Sequence, residues 1–163
     1  MELQFSASRI LHDEHMASLA LLREVERLVA ARKQAPDRDD PEIARFVAKL
    51  TAALTGEVIA HFDFEEDAVF PALAQCGEGD LVELLIEEHR SLRETIGDIA
   101  ATAREIAGGG LEAQGWMTLR RLCGELLERL ESHIDKEERA LVPAMENVFT
   151  PEVDSELAAR HGW

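Results

Sequence analysis

Histidine and glutamate recur at the same spacing in two distant parts of the chain. His61 is followed four residues later by Glu65, and His133 is followed four residues later by Glu137. Residues four apart in an α-helix lie about 40° apart around its axis, so each pair would share one face of a helix. Imidazole nitrogens and carboxylate oxygens are ligands for divalent transition metals. The spacing therefore predicts metal ligands on two helices.

Two further histidines, His15 and His89, interrupt apolar stripes of the same helical period. All four histidines and both glutamates would then face one apolar core. A glutamate buried without a partner is strongly unfavourable, whereas a bound dication pairs the carboxylates and takes neutral imidazoles as ligands. The candidate metal ligands are therefore His15, His61, Glu65, His89, His133 and Glu137.

Helical periodicity and strong terminators divide the chain into four long segments. Glycines at 77 and 79 and the triplet at 108–110 are breaks. The proline at 71 is expected to bend or loosen its helix, and another proline, at 143, lies near the end of the fourth helix. Short connections between long helices predict an all-α, antiparallel up-down-up-down four-helix bundle with a short C-terminal helix. The predicted helices run from about Ser6 to Lys33, from Pro41 (capped by Asp40) to about Gln75, from an Asp80 cap to about Ala107, from about Glu112 to Asn147, and onward from a Thr150 cap.

The second and fourth helices contain a repeated segment. Residues 61–73 and 133–145 are identical at seven of thirteen positions, at an offset of 72 residues. A weaker echo links Glu14-His15 to Glu88-His89. Helices 1 and 2 therefore resemble a copy of helices 3 and 4, and two similar halves would suit two metal ions.

Other polar residues near the candidate ligands are predicted to lie outside the ligand set. Glu66 and Glu138 point about 140° away from the histidines five residues before them, so we expect them to face solvent or to contact the ligands from outside. Asp63 and Asp135 are expected on the surface. His12, near the edge of the first apolar stripe, is either a ligand or a neighbour of one.

Composition excludes several partners. The formal net charge of −16 would repel nucleic acid and anionic membrane surfaces. No apolar run approaches the ~18–20 residues of a membrane span, and the N-terminus lacks a signal peptide pattern. We therefore expect a cytoplasmic protein with one domain over residues 1–163, comprising a metal-binding core at about 6–147 and a tail at 148–163.

Four segments resemble the hemerythrin-like (HHE cation-binding) domain, and together they span nearly the whole chain. They read Leu11-His-Asp-Glu-His15, His61-Phe-Asp-Phe-Glu65-Glu66, Glu88-His89-Arg-Ser-Leu92 and His133-Ile-Asp-Lys-Glu137-Glu138. The resemblance implies two iron ions, oxo- or hydroxo-bridged, in an up-down-up-down bundle; manganese or zinc could occupy the same donors. By the resemblance the terminal ligands are His15, His61, His89 and His133, and the bridging carboxylates are Glu65 and Glu137.

Two positions depart from hemerythrin proper. Arg93 stands one turn after the third-helix histidine, where hemerythrin has a fifth histidine. Glu137 follows its histidine by four residues, where hemerythrin has an aspartate after five. Arg93 is expected either near the ligand stripe or turned outward to pair with a surface carboxylate such as Glu94 or Glu87. These departures bear on reversible dioxygen carriage rather than on metal binding.

The resemblance implies a protein that binds dioxygen, nitric oxide or a related small ligand for sensing, storage or stress protection. The alternative is a di-iron enzyme that acts on peroxide or supplies iron for cluster repair; no separate catalytic residue is predicted. A ferritin-like oxidase would need Glu-x-x-His on two helices and glutamates on the other two, an order this sequence lacks. A purely structural bundle would leave Glu65 and Glu137 without partners.

Overall fold

The part of the chain described by the structure is helical, which confirms the predicted all-α class. The computed structural model describes residues 3–32, 34–37, 40–109 and 113–161, and no strand occurs in these ranges. The long helices in this part are α1 (Ser6–Ala31), α2 (residues 41–75), α3 (Gly79–Gly109) and α4 (residues 113–148), and the short C-terminal helix is α5 (Pro151–His161).

Helix boundaries follow the local sequence signals, with one exception. The Asp40 carboxylate caps α2 by accepting hydrogen bonds from two amides of the first turn, at 2.9 and 3.4 Å. Gly77, with φ at +98°, ends α2 in a conformation that favours glycine. The exception is Asp80: α3 begins at Gly79, so Asp80 lies in the first turn, where its charge still suits the positive helix end. The predicted start of α4 at Glu112 falls outside the described residues.

Helices α2 and α4 each contain a π-helical turn just before a proline. The turns are Glu65–Val69, which precedes Pro71, and Glu137–Leu141, which precedes Pro143. Proline lacks an N–H and its ring crowds the carbonyl four residues earlier, so a wider turn accommodates it without ending the helix. The predicted loosening near the proline at 71 is thus confirmed. Each wide turn begins at a candidate ligand, and the two repeat segments fold alike.

The helix core consists of two apolar clusters with a polar layer between them. In α3, for example, His89 lies between Leu85 of one cluster and Leu92 of the other. The same alternation in the other long helices places all candidate ligands in this layer. One cluster includes Phe62, Leu92, Trp116 and Leu130, and the other includes Leu11, Phe70, Leu85 and Leu141.

Helix α5 is fixed to the start of α1. The Asp154 carboxylate accepts hydrogen bonds from the amides of Ser6 at 3.0 Å and Ala7 at 2.7 Å. The first amides of a helix have no partner within the helix, so a carboxylate there both pairs them and complements the helix dipole. Thr150 caps α5 itself, accepting a hydrogen bond at 3.4 Å from the amide three residues later. This arrangement brings His161 to the edge of the polar layer.

Candidate metal centre

The six predicted ligands come together in the polar layer. His61 is 8% exposed and the other five are at most 1% exposed. They form two groups of four residues in which one potential ligand atom from each lies within 4.8 Å of the others. Both groups contain Glu65 and Glu137, so the carboxylates are shared. We call His15 and His61, together with the two shared carboxylates, the His15–His61 half-site. His89 and His133, together with the same carboxylates, form the His89–His133 half-site.

Each buried carboxylate reaches one histidine of each half-site. The fold places each glutamate between the two half-sites, in line with the bridging role that the family resemblance implies. This is the arrangement that a bridging carboxylate requires. The distances from carboxylate oxygen to imidazole Nε2 are 3.0 Å to His15 and 3.1 Å to His133 for Glu137, and 3.5 Å to His61 and 3.3 Å to His89 for Glu65.

Several polar atoms of the centre have no hydrogen-bond partner among the described residues. They are both carboxylate oxygens of Glu65, both of Glu137, and Nε2 of His15. The His15 nitrogen lies close to Glu137, but their orientation is not that of a hydrogen bond. Buried polar atoms are rarely left unpaired, because each loses its hydration without compensation. Divalent metal ions would satisfy all five atoms, and the nitrogen and oxygen donors suit iron, manganese or zinc.

The opposite nitrogen of every histidine contacts a glutamate from a neighbouring helix. We call these four glutamates the outer carboxylates. A carboxylate that accepts a hydrogen bond from Nδ1 fixes the proton on that nitrogen and turns Nε2 toward the core. It also makes Nε2 a stronger electron-pair donor to a metal ion. The Nδ1-to-oxygen distances are 2.6 Å for His15–Glu138, 2.7 Å for His61–Glu14, 2.8 Å for His89–Glu66 and 2.9 Å for His133–Glu88.

Comparison with known proteins identifies the family. The model of the hemerythrin HHE cation-binding domain matches residues 6–145, which include all six candidate ligands. The chain belongs to the hemerythrin HHE family. No curated protein matches the chain significantly. The family match and the buried histidine–glutamate groups together support a metal-binding domain.

The two central glutamates of this HHE domain cannot both carry a negative charge without a cation. Burial, reinforced by the charge of Glu137, raises the pKa of Glu65 well above its ordinary value. Burial acts on Glu137 in the same direction, but the nearby nitrogens of His133, His15 and His89 outweigh it and hold its pKa well below the ordinary value. Burial lowers the pKa of His15, yet its carboxylate neighbours outweigh burial and raise it to about 9. Protons thus balance the charge in the metal-free core, and metal ions should displace them.

The other polar residues of the HHE motifs lie outside the two half-sites. His12 is part-exposed, with Nδ1 at 2.9 Å from Glu138, so it contacts an outer carboxylate and belongs to neither four-residue group. Asp63 and Asp135 are 58% and 57% exposed, as predicted. The sequence predicted that Glu66 and Glu138 face solvent or contact the ligands from outside, but it gave no such prediction for the outer carboxylates of α1 and α3, Glu14 and Glu88. Glu14 and Glu88 could have been found from the sequence, because each directly precedes a candidate histidine.

Arg93 pairs with α2 rather than with its own helix. Its guanidinium donates hydrogen bonds to Asp63 at 2.8 Å and to the outer carboxylate Glu66 at 3.1 Å. It also lies over the Phe62 ring, 5.6 Å from the centroid. Arg93 thus pairs with a surface carboxylate, as one of the two alternatives expected, but the partner is Asp63 on the neighbouring helix and not Glu94 or Glu87.

Aromatic rings enclose one side of the centre, and a cavity adjoins the other. Phe62 and Phe70 stack on the imidazole of His89, with centroid distances of 4.0 and 5.4 Å. A cavity of about 700 Å³ lies beside His61, between α1, α2 and the end of α5 at His161. The centre is therefore sealed by apolar rings near the His89–His133 half-site and is closest to solvent at His61.

Proposed function

We propose that this chain is a di-iron protein that binds dioxygen, nitric oxide or a related small ligand for sensing, storage or stress protection. The observation that carries the proposal is the convergence, between four imidazoles, of fully buried carboxylate oxygens that have no hydrogen-bond partner in the described part of the chain. Two ions would each take two histidines as terminal ligands and share Glu65 and Glu137. Iron accepts these donors; manganese and zinc also fit them, so the choice of iron follows the family.

The protein side of this function is orientation and exclusion of water. The outer carboxylates would hold each imidazole with Nε2 toward the ions. The apolar clusters on both sides and the rings of Phe62 and Phe70 keep the polar layer dry, which strengthens every charge interaction within it. Iron held there supplies redox chemistry and coordination positions for a diatomic ligand. The cavity beside His61 would offer such a ligand a route inward.

We further propose the up-down-up-down order for the four long helices, within one domain over residues 1–163 whose metal-binding core covers about 6–147. Two observations support it. The turn between α2 and α3 is three residues long, too short for two parallel neighbours. The contacts from histidines to outer carboxylates also join each long helix to the next and α4 to α1, which closes a ring. None of the described helices is long and apolar enough to cross a membrane. The cytoplasmic location and the absence of a nucleic-acid partner stay predictions.

Elemental analysis tests the metal assignment. Protein purified without added metal should contain close to two metal ions per chain, mostly iron. An exposed-residue control, Asp135→Asn, should keep both ions, because that carboxylate pairs only with a surface arginine in the described structure. A metal-free preparation that also fails to take up Fe²⁺ anaerobically would refute the proposal.

Small-ligand binding and the enzyme alternative are tested on the same preparation. The diferrous protein should change its optical spectrum on addition of nitric oxide or dioxygen, and the metal-free protein should not. Rapid multiple turnover of hydrogen peroxide by the iron-loaded protein would favour the enzyme instead. Binding without turnover supports the sensing, storage or protection reading.

A further inference from the structure

The two half-sites differ in the groups that lie behind their outer carboxylates. Behind the His89–His133 half-site, Glu66 contacts Arg93 at 3.1 Å and Glu88 contacts Lys136. Behind the His15–His61 half-site, Glu138 contacts His12 and Glu14 contacts His161, each at 2.9 Å. The sequence repeat would make the halves alike, but they differ in these groups: an arginine and a lysine lie behind one half-site and two histidines behind the other.

A guanidinium and an ammonium carry a permanent positive charge, whereas an imidazole can be neutral. A fixed cation repels an incoming dication. It also draws electron density from the outer carboxylate, which then makes the histidine a weaker metal ligand. Both effects act against metal binding at the His89–His133 half-site.

Apart from the outer carboxylates, the other charged side chains near the two half-sites are more exposed to solvent than Arg93 and Lys136. The Asp63 carboxylate beside Arg93 is 58% exposed, so solvent screens much of its charge and it offsets little of the repulsion between Arg93 and a metal ion. Arg160 lines the cavity beside His61, but the carboxylates of Glu57 and Asp67 line the same cavity. These groups therefore leave the difference between the half-sites in place.

We propose that the His15–His61 half-site binds a divalent metal ion first and more tightly than the His89–His133 half-site, because only the latter is backed by Arg93 and Lys136. The inference rests on the proposed metal centre and goes beyond it in ordering the two sites. A unit charge roughly 9 Å from a dication weakens binding about fivefold at the dielectric constant of water. Two such charges predict a difference of at least ~10-fold in dissociation constant.

The test is a titration of metal-free protein with Co²⁺, followed by its visible absorption. His133→Ala disrupts one half-site and retains the His15–His61 half-site, whereas His61→Ala does the reverse. We expect His133→Ala to bind one Co²⁺ at least ~10-fold more tightly than His61→Ala. In the His61→Ala background, Arg93→Gln with Lys136→Gln should tighten binding, and the charge-conserving pair Arg93→Lys with Lys136→Arg should not. Arg121→Gln, which removes an exposed cation paired with Glu125, is the matched control.

A second measurement uses the wild-type chain and so does not depend on the folding of variants. With half an equivalent of Mn²⁺, paramagnetic broadening should reach the imidazole protons of His15 and His61 before those of His89 and His133. Equal or reversed affinities, or simultaneous broadening, would overturn the inference. Weaker binding in the glutamine variants would do so too, since it would mean that Arg93 and Lys136 act by holding the outer carboxylates in place. If wild type binds no metal, the proposed function fails; two ions bound with equal affinity refute only the order.

Discussion

Replacing the two central glutamates by glutamine should have opposite effects on the stability of the metal-free protein. Glu65 is held protonated by burial and by the charge of Glu137, so glutamine replaces a neutral group by a neutral group. Glu137 is ionised and lies within 3.8 Å of three imidazole nitrogens, so glutamine removes their shared counter-charge. We expect Glu65→Gln to raise the free energy of unfolding at pH 7 and Glu137→Gln to lower it.

The magnitudes follow from linkage and from the cost of breaking buried ion pairs. In the unfolded chain Glu65 titrates near its ordinary value of 4.5, so it is ionised at pH 7. Keeping its proton in the folded state then costs at most about 3 kcal/mol, which glutamine removes. Because the folded pKa is raised, this cost is absent below pH 4.5 and grows as the pH rises. Loss of the Glu137 charge should cost roughly 3–5 kcal/mol, or roughly 6–20 °C in melting temperature.

Urea unfolding of chelator-treated protein, followed by circular dichroism, measures both effects. The gain for Glu65→Gln should shrink toward zero when the titration is repeated near pH 4.5, where the wild-type carboxyl takes up its proton in the unfolded state as well. Glu94→Gln, on the exposed face of α3, is the matched control and should change little. Effects of the same sign for the two central variants would refute the assignment of charge to Glu137 and of the proton to Glu65.

Four further predictions concern metal, ligand and fold. The double variant His61→Ala, His133→Ala removes one ligand from each half-site and should bind neither ion, as measured by elemental analysis; full retention would contradict the assigned ligands. Metal at ~100 times its dissociation constant should stabilise the folded protein by about 2.7 kcal/mol per site, so equal melting temperatures with and without metal would contradict a site present only in the folded state. The diferrous protein should oxidise over cycles of air and vacuum, and Arg93→His should slow the loss if the missing imidazole is the cause; identical spectra in both proteins would exclude that role. Asp154→Ala should lower the free energy of unfolding by about 1 kcal/mol, because two amides of α1 lose their cap, while metal content stays unchanged.

The sequence by itself determined which side chains face the core. A four-residue spacing on an apolar stripe is a local property of a helix, so His61 with Glu65 and His133 with Glu137 could be placed on one face without knowledge of the fold. The same holds for the Asp40 cap and for the loosened turn before Pro71. The cap predicted at Asp80 instead lies within the first turn of α3, which begins at Gly79, since the exact ends of helices are weakly determined.

Only the tertiary structure decided which side chains of different helices contact one another. Periodicity fixes the face of a helix but not its height or rotation against a neighbour, and the decisive contacts join residues far apart in the chain. Glu66 reaches a histidine 23 residues away, and His161 reaches Glu14 across 147 residues. The shared position of Glu65 and Glu137, the turn of Arg93 toward α2 and the unequal charges behind the two half-sites all arise in this way. A sequence repeat predicts two similar halves; packing against different neighbours makes them chemically distinct.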